Sequence, residues 1–246
     1  MSVPDFARHR LFLDLSFSAG VAVPLEREQA NYLLNVLRFK AGDVVLVFNG
    51  RDGEWLASLV PEGRKQATLS LVRQVRPQPP ESDLHYLFAP LKHARLDYMA
   101  QKAVEMGAGV LQPVLTRRTQ VSRLNLDRMR ANAVEAAEQC GILGLPAIRE
   151  EKSLESALSG LAPDRLLIFC DEGAEEASPV AALAARAPAP LAVLIGPEGG
   201  FDEAERQLIR ARANTMPISL GPRILRADTA AVAALAVVQA TLGDWS

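Results

Sequence analysis

The sequence has few cysteines and no strong charge of either sign. Cysteine occurs only twice, at Cys140 and Cys170, which is too few for a disulfide framework. Both lie in apolar segments, so we expect two small buried hydrophobic side chains and a reducing compartment. The net charge of −2 does not favour wholesale wrapping of nucleic acid, and any such binding must use a local basic patch.

Long hydrophobic runs and metal-binding motifs are also missing. The most apolar segment, "TAAVAALAVVQATL" at 229–242, is shorter than the roughly 20 residues of a membrane span. The first residues contain no apolar stretch followed by a small-residue cleavage site, so we expect no signal peptide. His9, His85 and His93 lack the spacing of a metal site. We therefore expect a cytoplasmic protein with no membrane partner and no metal.

Two domains are predicted from the pattern along the chain. Residues 1–75 read as short strands with turn signals at Asn49-Gly50 and Asp52-Gly53 and one helix within 25–39, which indicates a small β-barrel. The segment "RPQPPESD" at 76–83 contains three prolines and has the composition of a linker. Strands and helices alternate through 84–246. This pattern predicts an α/β domain with a mainly parallel sheet covered by helices on both faces.

A glycine-rich turn, "IGPEGGFDEAE" at 195–205, follows an apolar strand. Asp202 and Glu205 have capping-box spacing, so the next helix should begin at about residue 203, after the glycines. Neither a G-x-G-x-x-G nucleotide fingerprint nor a phosphate loop is present. Glu198 would repel phosphate, which favours a ligand that is uncharged or cationic at the point of contact. The alternative is that Gly199 and Gly200 only turn the chain.

A second strand ends in a similar Gly-Pro turn, in "MPISLGPRILRADTAA" at 216–231. The helix after this turn could be capped by Asp228 or Thr229. Ligands of open α/β sheets bind at the carboxyl ends of strands, so the two turns could form two walls of one pocket. Arg226 stands between apolar residues at this wall and is either a functional cation or an ordinary surface residue.

These two turns resemble the paired C-terminal motifs of the ribosomal small-subunit RNA methyltransferase E family, among the SPOUT methyltransferases. Segments 91–120 and 135–146 are also similar to family segments, and 31–55 is similar to the family's PUA-like RNA-binding barrel. The resemblance implies a trefoil knot in the C-terminal domain, which sequence patterning does not show. It further implies bound S-adenosylmethionine, a homodimer, and methylation of N3 of one uridine in 16S ribosomal RNA, with the small ribosomal subunit as partner.

The resemblance also suggests which residues form the site. Arg226 would stabilise charge, and Glu198 or Asp228 would accept a proton or orient Arg226. Asp228 stands where the family usually has Glu, and the basic residue often found after the family's Glu-Gln pair is missing at 140–146. The residues expected to hold the cofactor are Leu194, Ile195, Gly196, Pro197, Gly199, Gly200, Leu220, Gly221, Ile224, Leu225 and Ala230.

Local basic clusters are the candidates for RNA binding, although each could equally be a solvated face. Two other functions stay open: a SPOUT methyltransferase acting on tRNA or large-subunit ribosomal RNA, and a non-catalytic RNA-binding protein. The intact glycine-rich motifs speak against the second. The candidate RNA-binding residues are Arg8, Arg10, Arg38, Lys40, Arg117, Arg118 and Arg123.

Overall fold

The structure is a computed structural model that describes residues 9–63, 66–92, 94–121, 123–174 and 178–245. The described chain divides into two compact units, one formed by residues up to 80 together with 137–145, the other by 81–136 and 146 onwards. Each unit has its own hydrophobic core.

The first unit is built on a five-stranded sheet and one helix. The elements are β1 (Arg10–Phe12), β2 (Ala22–Pro24), α1 (Arg27–Asn31), β3 (Val44–Phe48), β4 (Glu54–Pro61) and β5 (Ala67–Arg76). The strand order is β1-β3-β4-β5-β2, in which β1 pairs parallel with β3 and the other pairs are antiparallel. Helix α1 continues as a π-helical turn over Tyr32–Val36, within the segment predicted to be helical.

The predicted turn between β3 and β4 is confirmed. Gly50 and Gly53 have φ values of 80° and 75°, a region that glycine occupies without steric cost. The Asn49 carboxamide oxygen accepts hydrogen bonds from the backbone N–H groups of Arg51 at 2.9 Å and Asp52 at 2.8 Å. The side chain thus stabilises the turn that the Asn-Gly pair indicates.

A buried ion cluster links strands β1, β4 and β5 of this sheet. Glu54 accepts hydrogen bonds from Arg10 Nε at 2.7 Å and from Arg76 Nε at 2.7 Å. Burial raises the pKa of Glu54, but the hydrogen bonds from Arg76 and Arg10 outweigh it and leave the pKa below its ordinary value. Arg10 is only 6% exposed, so its guanidinium supports the fold.

The second unit contains a parallel sheet and six helices among the described residues. Its elements are β6 (His85–Phe88), α2 (Ala94–Glu105), β7 (Val110–Leu115), α3 (Leu126–Cys140), β8 (Ala147–Ile148), β9 (Lys152–Ser153), α4 (Leu154–Ser159), β10 (Leu166–Cys170), α5 (Pro179–Ala184), β11 (Leu191–Ile195), α6 (Glu203–Ala211), β12 (Thr215–Ile218) and α7 (Ala227–Leu242). The strand order is β12-β10-β11-β6-β7-β8, and β9 pairs with β7. The predicted α/β architecture is confirmed.

Alternate residues of the central strands point into two cores. On one face Tyr86 and Val193 pack with residues of α2 and α7, and on the other Leu87 and Leu194 pack with residues of α4 and α6. Strand β11 is buried along its whole length, as its unbroken apolar sequence predicts. Helices therefore cover both faces, and ligands have access to the sheet at its edges.

The expectation of two buried cysteines is wrong for Cys140. This residue is exposed, because it is the last residue of α3 and the buried stripe of that helix ends at Ala137. Cys170 is half-buried at the end of β10, and burial raises the pKa of its thiol to about 12. Its thiol is therefore neutral at physiological pH.

Candidate active site

The carboxyl ends of three neighbouring strands, β12, β10 and β11, meet at one edge of the parallel sheet. The segments that follow them enclose a cavity of about 800 Å³. This volume lies within the range of small-molecule sites in proteins. The cavity is thus where the open-sheet rule places a ligand.

The first wall is the turn that follows β11. A Cβ atom on Gly196 would lie 2.6 Å from the ring of Phe201, so glycine is needed for this packing. Gly200 has a φ of 69°, and its N–H donates to the Pro197 carbonyl at 2.8 Å. The glycines therefore allow a tight turn and bare main chain at the cavity.

Side chains outside the turn hold it in place. Arg118 Nη1 donates to the Gly199 carbonyl at 2.6 Å, and Glu198 forms an ion pair with Arg95. Behind the turn, Asp202 and Glu205 form the predicted capping box at the start of α6, with hydrogen bonds of 2.8 and 3.0 Å. The 196–200 turn is thus held by Arg118 and Arg95 and is followed by a capped helix.

The second wall runs from Ser219 to Arg226, between β12 and α7. The prediction that Asp228 or Thr229 caps α7 is wrong, because the helix begins at Ala227 and Arg226 is its N-cap residue. Asp228 instead lies in the first helical turn, where its carboxylate accepts the Thr229 N–H at 2.8 Å. A carboxylate in this turn interacts favourably with the helix dipole.

Two arginines in the second wall are exposed cations. Arg223 and Arg226 both line the cavity, and within the described residues neither guanidinium makes a hydrogen bond or an ion pair. Arginine keeps its charge and can donate two parallel hydrogen bonds to an oxyanion. Both side chains are therefore available to a bound molecule.

The third wall follows β10 and was missed by the sequence reasoning. Asp171 is fully buried and accepts hydrogen bonds at 2.6 Å from both Arg206 and Arg210 of α6. Glu172, next in the chain, is exposed, and one of its carboxylate oxygens lies 3.1 Å from the position of a Cβ on Gly200. The acidic pair after an apolar strand is the sequence signal that could have identified this wall.

Most of the predicted site residues line this one cavity. Leu194 does not, because its side chain belongs to the buried core, and Asp228 is also not a lining residue. The predicted residues that line it are Ile195, Gly196, Pro197, Glu198, Gly199, Gly200, Leu220, Gly221, Ile224, Leu225, Arg226 and Ala230.

The candidate RNA-binding residues are in several different environments. Arg8 lies outside the described residues, and the buried ion pair of Arg10 with Glu54 removes it from the candidates. Arg117 is exposed and pairs with Asp202 at 3.3 Å. The remaining candidates, Arg38, Lys40, Arg118 and Arg123, are exposed.

Within the described ranges, no cluster of three or more acidic, histidine or cysteine side chains could hold a metal ion. The helices in the same ranges are too short or too polar to cross a bilayer.

Comparison with known families agrees with this division into two units. Residues 78–239 match the model of an RNA methyltransferase domain, and residues 25–72 match that of an RNA methyltransferase PUA domain. The molecule is therefore of the RNA methyltransferase class, with a PUA-like unit before the catalytic one.

Individual relatives narrow this class. Ribosomal RNA small subunit methyltransferase E of Synechocystis is 33% identical over 89% of this chain and 73% of its own length. The enzyme of the same name from Rickettsia conorii is 29% identical over 94% of this chain and 95% of its own. The Neisseria gonorrhoeae protein, solved bound to S-adenosylmethionine, has a TM-score of 0.83 and 25% identity, covering 97% of this chain and all of its own. This chain belongs to the ribosomal RNA small subunit methyltransferase E family.

Proposed function

We propose that this protein transfers a methyl group from S-adenosylmethionine to N3 of one uridine in 16S ribosomal RNA. The observation that carries the proposal is the one cavity lined by residues of both family motifs, 194–205 and 220–235. The motifs follow β11 and β12, which both pair with β10. Membership of the family supplies the class of reaction.

The chemistry of the cavity fits S-adenosylmethionine. Leu220, Ile224 and Leu225 offer apolar surface to the adenine, and the glycines offer main-chain groups. Glu172 and Glu198 provide negative charge for the cationic part of the cofactor, while Arg206 provides positive charge for its carboxylate. When bound, the cofactor supplies an electrophilic methyl group attached to a sulfonium.

Arg226 is the proposed catalytic cation. Uridine N3 must lose a proton before it can attack, and negative charge then develops on O2 and O4 of the base. A guanidinium at the cavity wall stabilises that charge by donating hydrogen bonds. Glu198, which lines the same cavity, is the proposed acceptor of the N3 proton. Asp228 is assigned to the first turn of α7 because it accepts the Thr229 N–H and does not line the cavity.

RNA binding is assigned to both units. The PUA-like unit presents the exposed Arg38 and Lys40, and the catalytic unit presents Arg117, Arg118 and Arg123. We further propose a homodimer, a trefoil knot at the C-terminal segments and the small ribosomal subunit as the natural partner, and these three assignments rest on family membership. The proposed domain limits of 1–75 and 84–246 rest on the pattern of strands, linker and helices along the sequence.

Mass mapping of methylation tests the proposed function. The purified protein and labelled S-adenosylmethionine are incubated separately with free 16S ribosomal RNA, assembled small subunits, large-subunit RNA and tRNA. We expect one methyl group on N3 of one uridine in 16S ribosomal RNA, in at least one of the first two samples. Methylation of only tRNA or large-subunit RNA would support the alternative methyltransferase. Binding of RNA without binding of cofactor would support a non-catalytic RNA-binding protein.

A further inference from the structure

A second, smaller cleft shares Pro197 and Glu198 of the 196–200 turn with the main cavity. It is lined by the segments that follow the neighbouring strands β11, β6 and β7, whereas the main cavity lies at the ends of β11, β10 and β12. Its volume is about 20 Å³, room for roughly one water-sized group and too little for a base. A ligand can therefore place only a small group in it.

The charges around this cleft are mainly positive. Lys92 and Arg118 line it, and Arg95 reaches its acidic lining residue, Glu198, from the first turn of α2. Lys92 is exposed and has no ion-pair partner within the described residues. The positive end of the α2 dipole adds to the same field. Among the residues that the structure describes here, three cations against one carboxylate attract a small anionic group.

Glu198 is shared between the two concave surfaces, because it lines the small cleft as well as the main cavity. Its carboxylate pairs with Arg95, and the two side chains are 47% and 41% exposed. Ion pairs with this much exposure are weak, since solvent screens them and two long side chains must be ordered. An incoming anion with more negative charge can thus compete with Glu198 for the Arg95 guanidinium.

We propose that the small cleft receives one oxygen of a phosphate of the RNA backbone, and that Lys92, Arg95 and Arg118 bind this phosphate. The phosphate takes over the Arg95 guanidinium, and Glu198 is released toward the main cavity. Phosphate oxygens match the fork of an arginine and form charge-assisted hydrogen bonds with it. This inference rests on the proposed function, since it requires an RNA substrate whose reacting base enters the main cavity.

The subsite also gives a role to Glu198 that explains its presence beside two arginines. In the free protein the Glu198 carboxylate pairs with the Arg95 guanidinium, which binds the RNA phosphate in the complex. After RNA binds, the same carboxylate is uncompensated near the base and better able to accept a proton. Binding of the RNA thus frees Glu198, the proposed base, to accept the N3 proton.

Equilibrium binding of free 16S ribosomal RNA at several salt concentrations tests the subsite. The variants are Lys92→Ala, Arg95→Ala and Glu198→Gln, with Arg186→Ala as the matched control because Arg186 is exposed on the short segment leading back to the start of β11. We expect Lys92→Ala and Arg95→Ala to weaken binding several-fold at low salt. Each should reduce the slope of log affinity against log salt by at most about one, because the two residues bind the same phosphate. Glu198→Gln should tighten binding, because it removes the competing charge.

The sign of the Glu198→Gln effect separates the proposal from a merely structural ion pair. Loss of a structural support would weaken RNA binding or leave it unchanged, and either result would overturn the displacement of Glu198. Salt slopes of Lys92→Ala and Arg95→Ala equal to that of Arg186→Ala would overturn the phosphate subsite. Calorimetry with S-adenosylmethionine is run on every variant. A wild-type protein that binds no cofactor would contradict the proposed function, whereas the salt slopes are read without turnover.

Discussion

At the scale of single residues, Arg223 and Arg226 can be compared as candidates for the catalytic cation. They are three positions apart on one cavity wall, both are exposed, and both lack partners within the described residues. They differ in their relation to α7, because the backbone of Arg226 is the N-cap and fixes where its side chain begins. A residue anchored in this way is better positioned for catalysis than one in the middle of a loop.

Replacing Arg226 by alanine should abolish most of the turnover while cofactor binding is retained. Loss of one oxyanion-stabilising donor typically costs about 10²–10³ in kcat, roughly 2.7–4 kcal/mol. The measurement is single-turnover methyl transfer together with calorimetric binding of S-adenosylmethionine. Arg223→Ala is the matched control and should retain more activity. Equal losses in the two variants would show that general positive charge, and not Arg226 itself, is what matters.

At the scale of elements, the 196–200 turn predicts different effects for two adjacent glycines. Gly200 has a φ of 69°, so Gly200→Val strains the backbone and directs its side chain toward Glu172. The Cβ of a Gly199→Ala variant would meet the flexible side chain of Arg118 at 3.3 Å. We expect Gly200→Val to lower cofactor affinity at least about tenfold, a cost of about 1.4 kcal/mol. Gly199→Ala should bind nearly normally, and unchanged calorimetric binding by Gly200→Val would contradict the proposed pocket.

The capping box of α6 predicts a stability effect. Asp202→Ala removes the acceptor of the Glu205 N–H and should lower the free energy of unfolding by about 0.5–2 kcal/mol, measured by denaturant titration. Asp202 also pairs with Arg117, whose side chain is 73% exposed. Arg117→Ala removes only this pair and should cost less, about 0.2–1 kcal/mol. If the two variants were equally destabilised, the ion pair and not the cap would be the main contribution of Asp202.

At the scale of the whole molecule, the lowered pKa of His85 makes the free energy of unfolding depend on pH. Burial, together with the positive charges of Arg165 and Arg149, lowers the pKa of His85 from 6.5 to about 4. Between these values the unfolded chain binds more protons than the folded one, so stability falls as the pH decreases from about 6.5 to 4. His85→Gln should flatten this part of the profile, measured as the thermal midpoint against pH. An unchanged profile would show that His85 does not titrate as described.

Much of the architecture could be predicted because periodicity is a local property. The alternation of strands and helices after residue 84, the Asn-Gly turn and the capping box all depend on neighbours within a few positions. The short strand β2 and helix α4 were missed, since elements of this length carry too little pattern. The cap of α7 was predicted wrongly, because Asp228 has a capping side chain but the helix begins one residue before it.

Two walls of the site could be predicted from the sequence, because each is a continuous segment with its own turn chemistry. The contacts that join these walls depend on how the strands pair, and they became visible only in the folded protein. The pairing of β10 with both β11 and β12 brings Glu172 and Arg206 to the same cavity, and the order of β11, β6 and β7 brings Arg95 to Glu198. The tertiary structure also buries Arg10 against Glu54, whereas the other basic candidates that the structure describes are exposed. Such contacts join residues far apart in the chain, and local sequence patterns contain no information about them.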